Sequence, residues 1–404
     1  MSRNNFITAI DIGTENTKIL VVEKTIKENE LKVISFIKKK TFGVRKGIVI
    51  NVEEISRLLQ NCLCEINEQI GERINSVFVS VNGSHLFSLC SRGSIAVSRA
   101  DNKISEDDVQ RALRTARTFS LSSNKEIIEV FPKNFIIDND QIVKDPLGLG
   151  GVRLEAEVLV LGGFSHYLKN VTQAVLTSGV HVLDMVPCPV AAARALLTPR
   201  QKELGVAVLD IGAGTSGMAV YQEGNLVHLV VLPIGSNNIT NDIAIGLTID
   251  AEIAERIKVE YGTCSPEGNK KIKVEVGESE FVSFSPKALS RIINARVSEI
   301  FKEAQKELKK ISLDKGLPAG IVLTGGGAKI LEILDIAKKE FKLPCRLGKL
   351  EGFIGLDTDP SLSVVCGLAL IDDDFNDFEG PSYLSNFFGK IWAKFKKMLK
   401  VFIP

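Results

Sequence analysis

Two short segments carry the residues of this chain most able to do chemistry. One is Thr8-Ala9-Ile10-Asp11-Ile12-Gly13-Thr14; the other is Ala207-Val208-Leu209-Asp210-Ile211-Gly212-Ala213-Gly214-Thr215. Each is an apolar run ending in an aspartate, then one apolar residue, a glycine turn and a threonine. A glycine turn after a buried strand lets backbone N–H groups approach a phosphate with no Cβ in the way. Thr14 and Thr215 can add hydroxyl donors, Asn16 lies just beyond the first turn, and Lys18 can add charge. Asp11 and Asp210 stand at predicted strand ends, where two facing halves could aim them at one Mg2+ through water. Mg2+ favours a few carboxylates together with retained water and phosphate oxygens. A third glycine loop, Thr324-Gly325-Gly326-Gly327-Ala328, lies between a buried strand and a helix predicted to open at Ala328. It suits the flat face of a base or a sugar. Glu255 and Lys258, at i and i+3, share one face of a predicted helix. A solvated surface ion pair is the plain alternative for those two.

The elements that must position these residues are legible in the hydrophobic pattern. Phe6–Asp11, Thr17–Val22 and Leu31–Ile37 read as consecutive strands of an antiparallel meander. Ile55, Leu58, Leu59, Cys62, Ile66 and Ile70 have helical spacing over Val52–Ile70, and Ser76–Val81 alternates as a strand. The stretch from Ser84 to about Gly162 differs in kind. It reads as strand Leu86–Val97, helix Glu106–Thr118 with Ser105 as N-cap, then strands near Ile127–Ile137 and Leu154–Leu161, a small α+β unit with the look of an insertion. An α/β rhythm resumes with helix Ser165–Thr177, strand His181–Met185 and helix Pro189–Leu197. Val206–Asp210 then opens a second copy of the starting pattern, and two such halves facing each other would form a cleft. Helices are predicted near Ile239–Ala244 and Ala251–Tyr261, short strands near Ile272–Val276 and Phe281–Phe284, a long helix from Pro286 to Ile311, and a buried strand at Gly320–Leu323.

Composition excludes several classes. The chain has 404 residues, 45% hydrophobic and 25% charged, with a formal net charge of +1. These are ordinary globular values. Seven cysteines are scattered and odd in number, which argues for a reducing compartment and against a disulfide framework. Cys62 and Cys64 form a C-x-C pair inside a helical pattern, where core packing explains them better than a metal. The polar stretch Met1–Asn5 runs straight into a strand, so no signal peptide is expected. No apolar run nears 18 residues, so no spanning helix is expected either.

The last residues carry a second signal. Leu384, Phe387, Phe388, Ile391, Trp392, Phe395, Met398, Leu399 and Phe402 follow helical spacing, with Lys390, Lys394, Lys396, Lys397 and Lys400 mostly between them. Apolar residues on one face and lysines on the other describe a helix lying in a membrane interface. The preceding segment, residues 372–382, is acidic and holds a Gly-Pro break, so the helix is expected to be detached from the core.

The paired D-x-G-T and D-x-G-x-G-T loops, with the later strand-T-G-G-G-A pattern, resemble the two phosphate motifs and the adenosine motif of the actin/Hsp70/sugar-kinase superfamily. Many of its members hold ribose and base with a Glu–Lys pair placed like Glu255 and Lys258. Together with the insert and the basic amphipathic tail, and with Ser80-Val-Asn82-Gly83 and Asp145-Pro146-Leu147-Gly148, the whole chain resembles the FtsA family of bacterial division proteins. The resemblance implies an actin-like, duplicated ribonuclease H-like α/β core with an inserted α+β subdomain and a C-terminal amphipathic helix. It implies subdomain 1A at 1–83 plus 163–197, subdomain 1C at 84–162, subdomain 2A at 198–240 plus 316–371 and subdomain 2B at 241–315. An acidic linker at 372–382 and a membrane-targeting helix at 383–404 would follow.

The same resemblance implies binding of ATP with Mg2+, with Asp11, Gly13, Thr14, Asn16, Lys18, Asp210, Gly212, Gly214, Thr215, Glu255, Lys258, Gly325, Gly326 and Gly327 at the nucleotide. It implies self-association into filaments, anchoring of FtsZ filaments at the inner face of the membrane, and recruitment of later division proteins. Arg291 and Arg296 match the basic positions that family members present to the acidic C-terminal tail of FtsZ. Phe387, Phe388, Ile391, Trp392, Phe395, Lys390, Lys394 and Lys397 would meet anionic lipid. Nucleic acid is not an expected partner. One departure concerns turnover. Related proteins carry Glu-Pro before an Ala-rich helix, with the Glu orienting the attacking water, whereas here the segment is Cys188-Pro189-Val190-Ala191. A thiol is a poor water-orienting base, so slow hydrolysis is expected. A pilus-assembly actin-like protein and a metabolic kinase of the same fold are the alternatives.

Overall fold

The structure is a computed structural model that describes residues 6–24, 30–98, 101–118, 121–266, 268, 270–277, 280–311 and 316–371. The acidic segment 372–382 and the amphipathic pattern 383–404 lie outside the described residues. The described residues form two compact units, the larger from residues up to 87 together with 163–369, and the smaller centred on residues 88–162.

The larger unit opens with the meander β1 (Phe6–Ile12), β2 (Asn16–Lys24) and β3 (Leu31–Lys40), paired antiparallel in that order. The register sets Asp11 opposite Lys18. Two very short strands, β4 (Val44–Arg45) and β5 (Ile48–Val49), then form a small hairpin. Helix α1 (Val52–Ile70) keeps the predicted bounds because both ends are signalled locally. The Asn51 side chain accepts from the Glu54 amide at the start, and Gly71 takes the left-handed conformation at the end. Strand β6 (Ser76–Val81) returns parallel to β1.

The smaller unit holds β7 (Phe87–Ala96), α2 (Glu106–Arg117), β8 (Lys125–Ile137), β9 (Gln141–Val143) and β10 (Arg153–Phe164), whose sheet order is β7-β10-β8-β9. Ser105 caps α2 as its sequence predicts, in a capping box closed by Asp108. Burial works against the Asp108 charge, but hydrogen bonds from Ser105, Arg111 and Ser98 outweigh it and hold the carboxyl well below the usual range. Val109, Ala112, Leu113 and Ala116 of α2 pack on Phe135, Leu154, Ala156 and Val158 of the sheet, giving this unit its own core.

The larger unit resumes with α3 (Ser165–Thr177), β11 (His181–Pro187), α4 (Cys188–Leu196) and a one-and-a-half-turn α5 (Pro199–Leu204). A second meander follows: β12 (Val206–Ile211), β13 (Ser216–Gln222) and β14 (Asn225–Leu232). Then come α6 (Ser236–Leu247), α7 (Ala251–Tyr261), the hairpin β15 (Ile272–Gly277) and β16 (Glu280–Phe284), and the long α8 (Pro286–Lys310). The chain closes with β17 (Ile321–Thr324), α9 (Ile333–Phe341), β18 (Cys345–Leu347), β19 (Phe353–Ile354) and α10 (Ser363–Ala369). The sequence predicts a helix from Ala328. The chain instead makes one 3-10 turn at Gly326–Lys329, because Gly325 (φ 86°) before it and Glu332 (φ 56°) after it both leave helical space.

The two sheets of this unit repeat one plan. The first has the order β11-β6-β1-β2-β3-β19 and the second β14-β13-β12-β17-β18. In each, an antiparallel meander is followed by two strands parallel to its first member. The internal echo in the sequence is therefore a structural duplication, with β1 answered by β12. The terminal helix of each half packs across onto the other: α4 lies against β12 and β13, and α10 against β1, β2 and β6. The two helices meet closely at Gly367, where an added Cβ would stand 1.7 Å from the Ala191 carbonyl oxygen. Gly367→Ala is expected to lower stability by roughly 2 kcal/mol or more through overpacking. Gly150→Ala, where nothing lies within 4 Å, is expected to cost under about 0.5 kcal/mol. The urea unfolding midpoint checks both.

Candidate functional site

The duplication brings Asp11 and Asp210 together, because each ends the first strand of its half. Both are buried, at 4% and 8% exposure. The turns after them close identically: the Gly13 amide donates to the Asn16 carbonyl at 3.2 Å, and the Gly212 amide donates to the Thr215 carbonyl at 2.9 Å. A Cβ on Gly13 would stand 2.6 Å from the Asn16 oxygen, so the turn requires glycine. One on Gly214 would stand 2.8 Å from Thr14 Oγ1, so the two loops face each other at contact distance.

The repeats differ at one informative place. Opposite Asp11 the register puts Lys18, and opposite Asp210 it puts Gly217. Lys18 Nζ lies 2.8 Å from Asp11 Oδ2, and the Ser80 hydroxyl donates to Asp11 Oδ1 at 2.9 Å. Burial opposes the Lys18 charge, but Asp11 outweighs it and, helped by Asp210, keeps the amine above its ordinary value. Asp210 has no such partner among the described residues. Burial, and then the neighbouring Asp11, push its carboxyl up to about 7, with Lys18 only partly offsetting them.

Cys188, the first residue of α4, closes the floor of this cluster. Burial, then Asp11 and Asp210, push its thiol well above the ordinary range, while Ser80 hydrogen-bonds to it. A neutral thiol in this place offers no base for orienting water.

The remaining expected residues fall into two groups. Lys258 of α7 is buried at 7% exposure and points inward. Its Nζ lies 2.6 Å from Glu255 Oε2 and donates to Thr240 Oγ1 at 2.8 Å and to the Ser236 carbonyl at 3.3 Å. The pair is thus no solvated surface bridge, and the half-exposed Glu255 is held in place by α6 as well as α7. Gly325 (φ 86°) packs on the end of β12, where a Cβ would stand 2.3 Å from Asp210 Oδ1. Gly327 is also close-packed, against Ile211, whereas Gly326 faces open space. Arg291 and Arg296 lie on α8 away from this cluster in sequence. Arg291 is exposed and forms no ion pair among the described residues. Arg296 grips Asp242 with two bonds of 2.7 and 2.9 Å and reaches Glu299 at 2.6 Å.

These residues fit a magnesium nucleotide. Lys18 offsets only part of the repulsion between the two buried carboxylates, so a further cation is favoured there, and Gly326 leaves open backbone at the third loop. No group of three or more His, Cys, Asp or Glu suited to a metal occurs among the described residues. Asp11 and Asp210 would supply two carboxylates, leaving phosphate and water to provide the rest, as Mg2+ favours.

Sequence reading did not single out Ser80 or Asn82 as site residues. Ser80 bridges Asp11 and Cys188, and Asn82 Nδ2 donates to Thr215 Oγ1 at 3.2 Å. Both sit at the end of β6, one strand from β1, and strand order is not legible before the parallel pairing is known.

The raised Asp210 carboxyl has a sign. Relative to an ordinary aspartate carboxyl at 3.8, the folded state holds the proton longer. Its stability contribution is therefore full below about pH 4 and is lost as pH rises through about 7. Asp210→Asn should remove that slope. Between pH 5 and pH 8 the melting temperature of the nucleotide-free parent is expected to fall several degrees further than that of the variant.

Comparison with known proteins agrees with this geometry. The sequence model described as "Cell division protein FtsA" matches residues 207–367, and that of the "SHS2 domain inserted in FTSA" matches residues 83–161. The chain is 33% identical to the cell division protein FtsA of Pseudomonas aeruginosa over 371 residues, covering 90% of this chain and 88% of that protein. It is 32% identical to FtsA of Borreliella burgdorferi, covering 99% and 97%. Among solved structures it resembles a type IV pilus PilM–PilN complex (TM-score 0.61, 16% identity, 90% and 97% covered). It also resembles MreB5 of Spiroplasma citri bound to ADP (TM-score 0.59, 13% identity, 94% and 100% covered). Those two likenesses establish an actin-like fold, and the sequence relatives establish the family: the chain belongs to the FtsA family of actin-like cell division proteins.

Proposed function

We propose that this chain binds ATP with Mg2+ in the cleft between its two repeats, polymerises, and tethers FtsZ filaments to the inner face of the cytoplasmic membrane at the division site. The observation that carries the nucleotide part is the facing of Asp11 and Asp210 across paired glycine turns. When bound, Mg2+ would neutralise phosphate and carboxylate charge together. Asp11 and Asp210 would orient its water shell, the 13–16 and 212–215 turns would cradle phosphates, and Lys18 would hold the Asp11 carboxylate in position through their 2.8 Å ion pair. Glu255 and Lys258 would take the ribose and base, with the open backbone at Gly326 on the other side. With Cys188 buried and neutral beside them, turnover would be slow and nucleotide would act as an assembly ligand.

The membrane part rests on the sequence of the tail. Each lysine near an anionic surface contributes roughly 1 kcal/mol, so Lys390, Lys394 and Lys397 with their neighbours give reversible anchoring for one copy. Linking many copies in a filament turns this into avidity. Subdomain 2B, at 241–315, would take the acidic FtsZ tail, and subdomain 1C, at 84–162, would take later division proteins.

Arg291 and Arg296 would serve that FtsZ contact differently. Arg291→Glu is expected to weaken binding of an FtsZ tail peptide about tenfold at low salt while leaving the melting temperature unchanged. Arg296→Ala should lower the melting temperature as well, because it leaves Asp242 unpaired. Peptide titration and thermal melts separate the two.

Co-sedimentation with anionic vesicles in ATP tests the tether itself, comparing the full chain with one ending at Pro381. A soluble carrier bearing the FtsZ tail is present in each. The full chain should pellet with the carrier and the shortened chain should not. If both stay soluble, or the carrier is ignored, the tether reading fails, and a phosphotransfer assay on small substrates then tests the kinase alternative.

A further inference from the structure

The tip of the β4–β5 hairpin is wedged among the phosphate loops. Lys46 and Gly47 both adopt positive φ, 48° and 75°, the conformation a two-residue hairpin turn of matching twist requires. The Gly47 amide donates to Thr14 Oγ1 at 2.9 Å. A Cβ on Gly47 would stand 3.0 Å from Asn82 Cβ and 3.1 Å from the Gly83 nitrogen. From the second repeat, a Cβ on Gly214 would stand 3.0 Å from Lys46 Cα. Asn82 completes the ring through its bond to Thr215 Oγ1. Thr14 and Thr215 each accept a hydrogen bond from outside their own loops, which leaves both hydroxyl protons free to turn toward an anion.

Two groups in this ring are placed to read charge. Asn82 is held from behind. Its Oδ1 accepts from the Gly83 amide at 2.9 Å, which turns Nδ2 toward Thr215. Its carbonyl lies 3.1 Å from His85 Nε2, and His85 Nδ1 accepts from the Phe164 amide at 3.2 Å. With Nδ1 accepting, Nε2 carries the proton and donates to Asn82. Lys46 is exposed and makes no ion pair among the described residues. Lys18, by contrast, is committed to Asp11.

We propose that Lys46 and Asn82 read the terminal phosphate of a nucleoside triphosphate in the cleft, and so set the preference for triphosphate over diphosphate. The inference rests on the nucleotide reading above. The phosphate furthest from the sugar meets the opposed threonines last, at the point where hairpin tip, Asn82 and Gly214 converge. There the Asn82 amide transfers its donor from Thr215 to phosphate oxygen, and Lys46 supplies the cation that Lys18 cannot.

The test is calorimetric titration of the full chain with MgATP and with MgADP. Variants are Asn82→Ala, Lys46→Asn, which keeps the left-handed turn accessible, and Arg45→Ala as a control of equal charge. The first two should lose about tenfold in ATP affinity with ADP affinity within about twofold, and Arg45→Ala should change neither. Asn82→Asp, close in shape but negative, should reject ATP and still bind ADP. It also keeps the test valid if Asn82→Ala unfolds in a nucleotide-free melt. Equal losses for both nucleotides, no loss, or an Arg45→Ala effect as large as that of Lys46→Asn would overturn the inference alone. A parent chain that binds neither nucleotide would overturn the cleft reading and the inference together.

Discussion

Two like charges buried side by side are expensive, and this fold is arranged around that cost. Asp11 and Asp210 end equivalent strands of two repeats, and neither can move far without unpairing the centre of a sheet. Only one receives a direct cation, because Lys18 stands in a register position that holds Gly217 in the second repeat. The half with the lysine pairs its carboxylate directly at 2.8 Å, and the half with the glycine holds one that burial and Asp11 push toward neutrality. Duplication creates the pair, and one substitution between the copies makes it asymmetric. A ligand that brings positive charge to the second carboxylate would relieve that cost, so the proposed nucleotide binding would be coupled to fold stability at one place.

Gly217 has a second use. Without a side chain there, α4 lies close on β13: a Cβ would stand 2.6 Å from Pro189 Cγ. That contact seats Cys188 beneath the carboxylates. The position that removes the second lysine thus also brings the helix N-terminus into the cluster. Burial of the thiol follows from this packing.

Much of this was legible in the sequence, for local reasons. Aspartate, glycine and threonine at fixed offsets after an apolar run announce both loops. Apolar spacing over Val52–Ile70 and Ser105 as N-cap announce helices whose ends the structure keeps within a residue. What was not legible lacked a period. Strands of two residues, Val44–Arg45 and Ile48–Val49, cannot alternate visibly. Helix α10 is buried all round and shows no apolar face to read. The turn after Gly325 looks like a helix start, but its outcome depends on the backbone of Glu332, which composition does not reveal. Asn82 and Ser80 look like ordinary strand-end polar residues until parallel pairing sets β6 beside β1.

The crossed helices α4 and α10 give the larger unit an axle. Each belongs to one repeat and rests on the sheet of the other, and at Gly367 their backbones come as near as side-chain-free packing permits. Atoms at such a crossing travel little when the halves rotate, while atoms further out travel in proportion to their distance. In the proposed nucleotide-bound polymer, a change of phosphate number near the axle would be geared up toward the rims, where neighbouring copies would have to match. Small chemistry at the centre would become a change of outline at the edge.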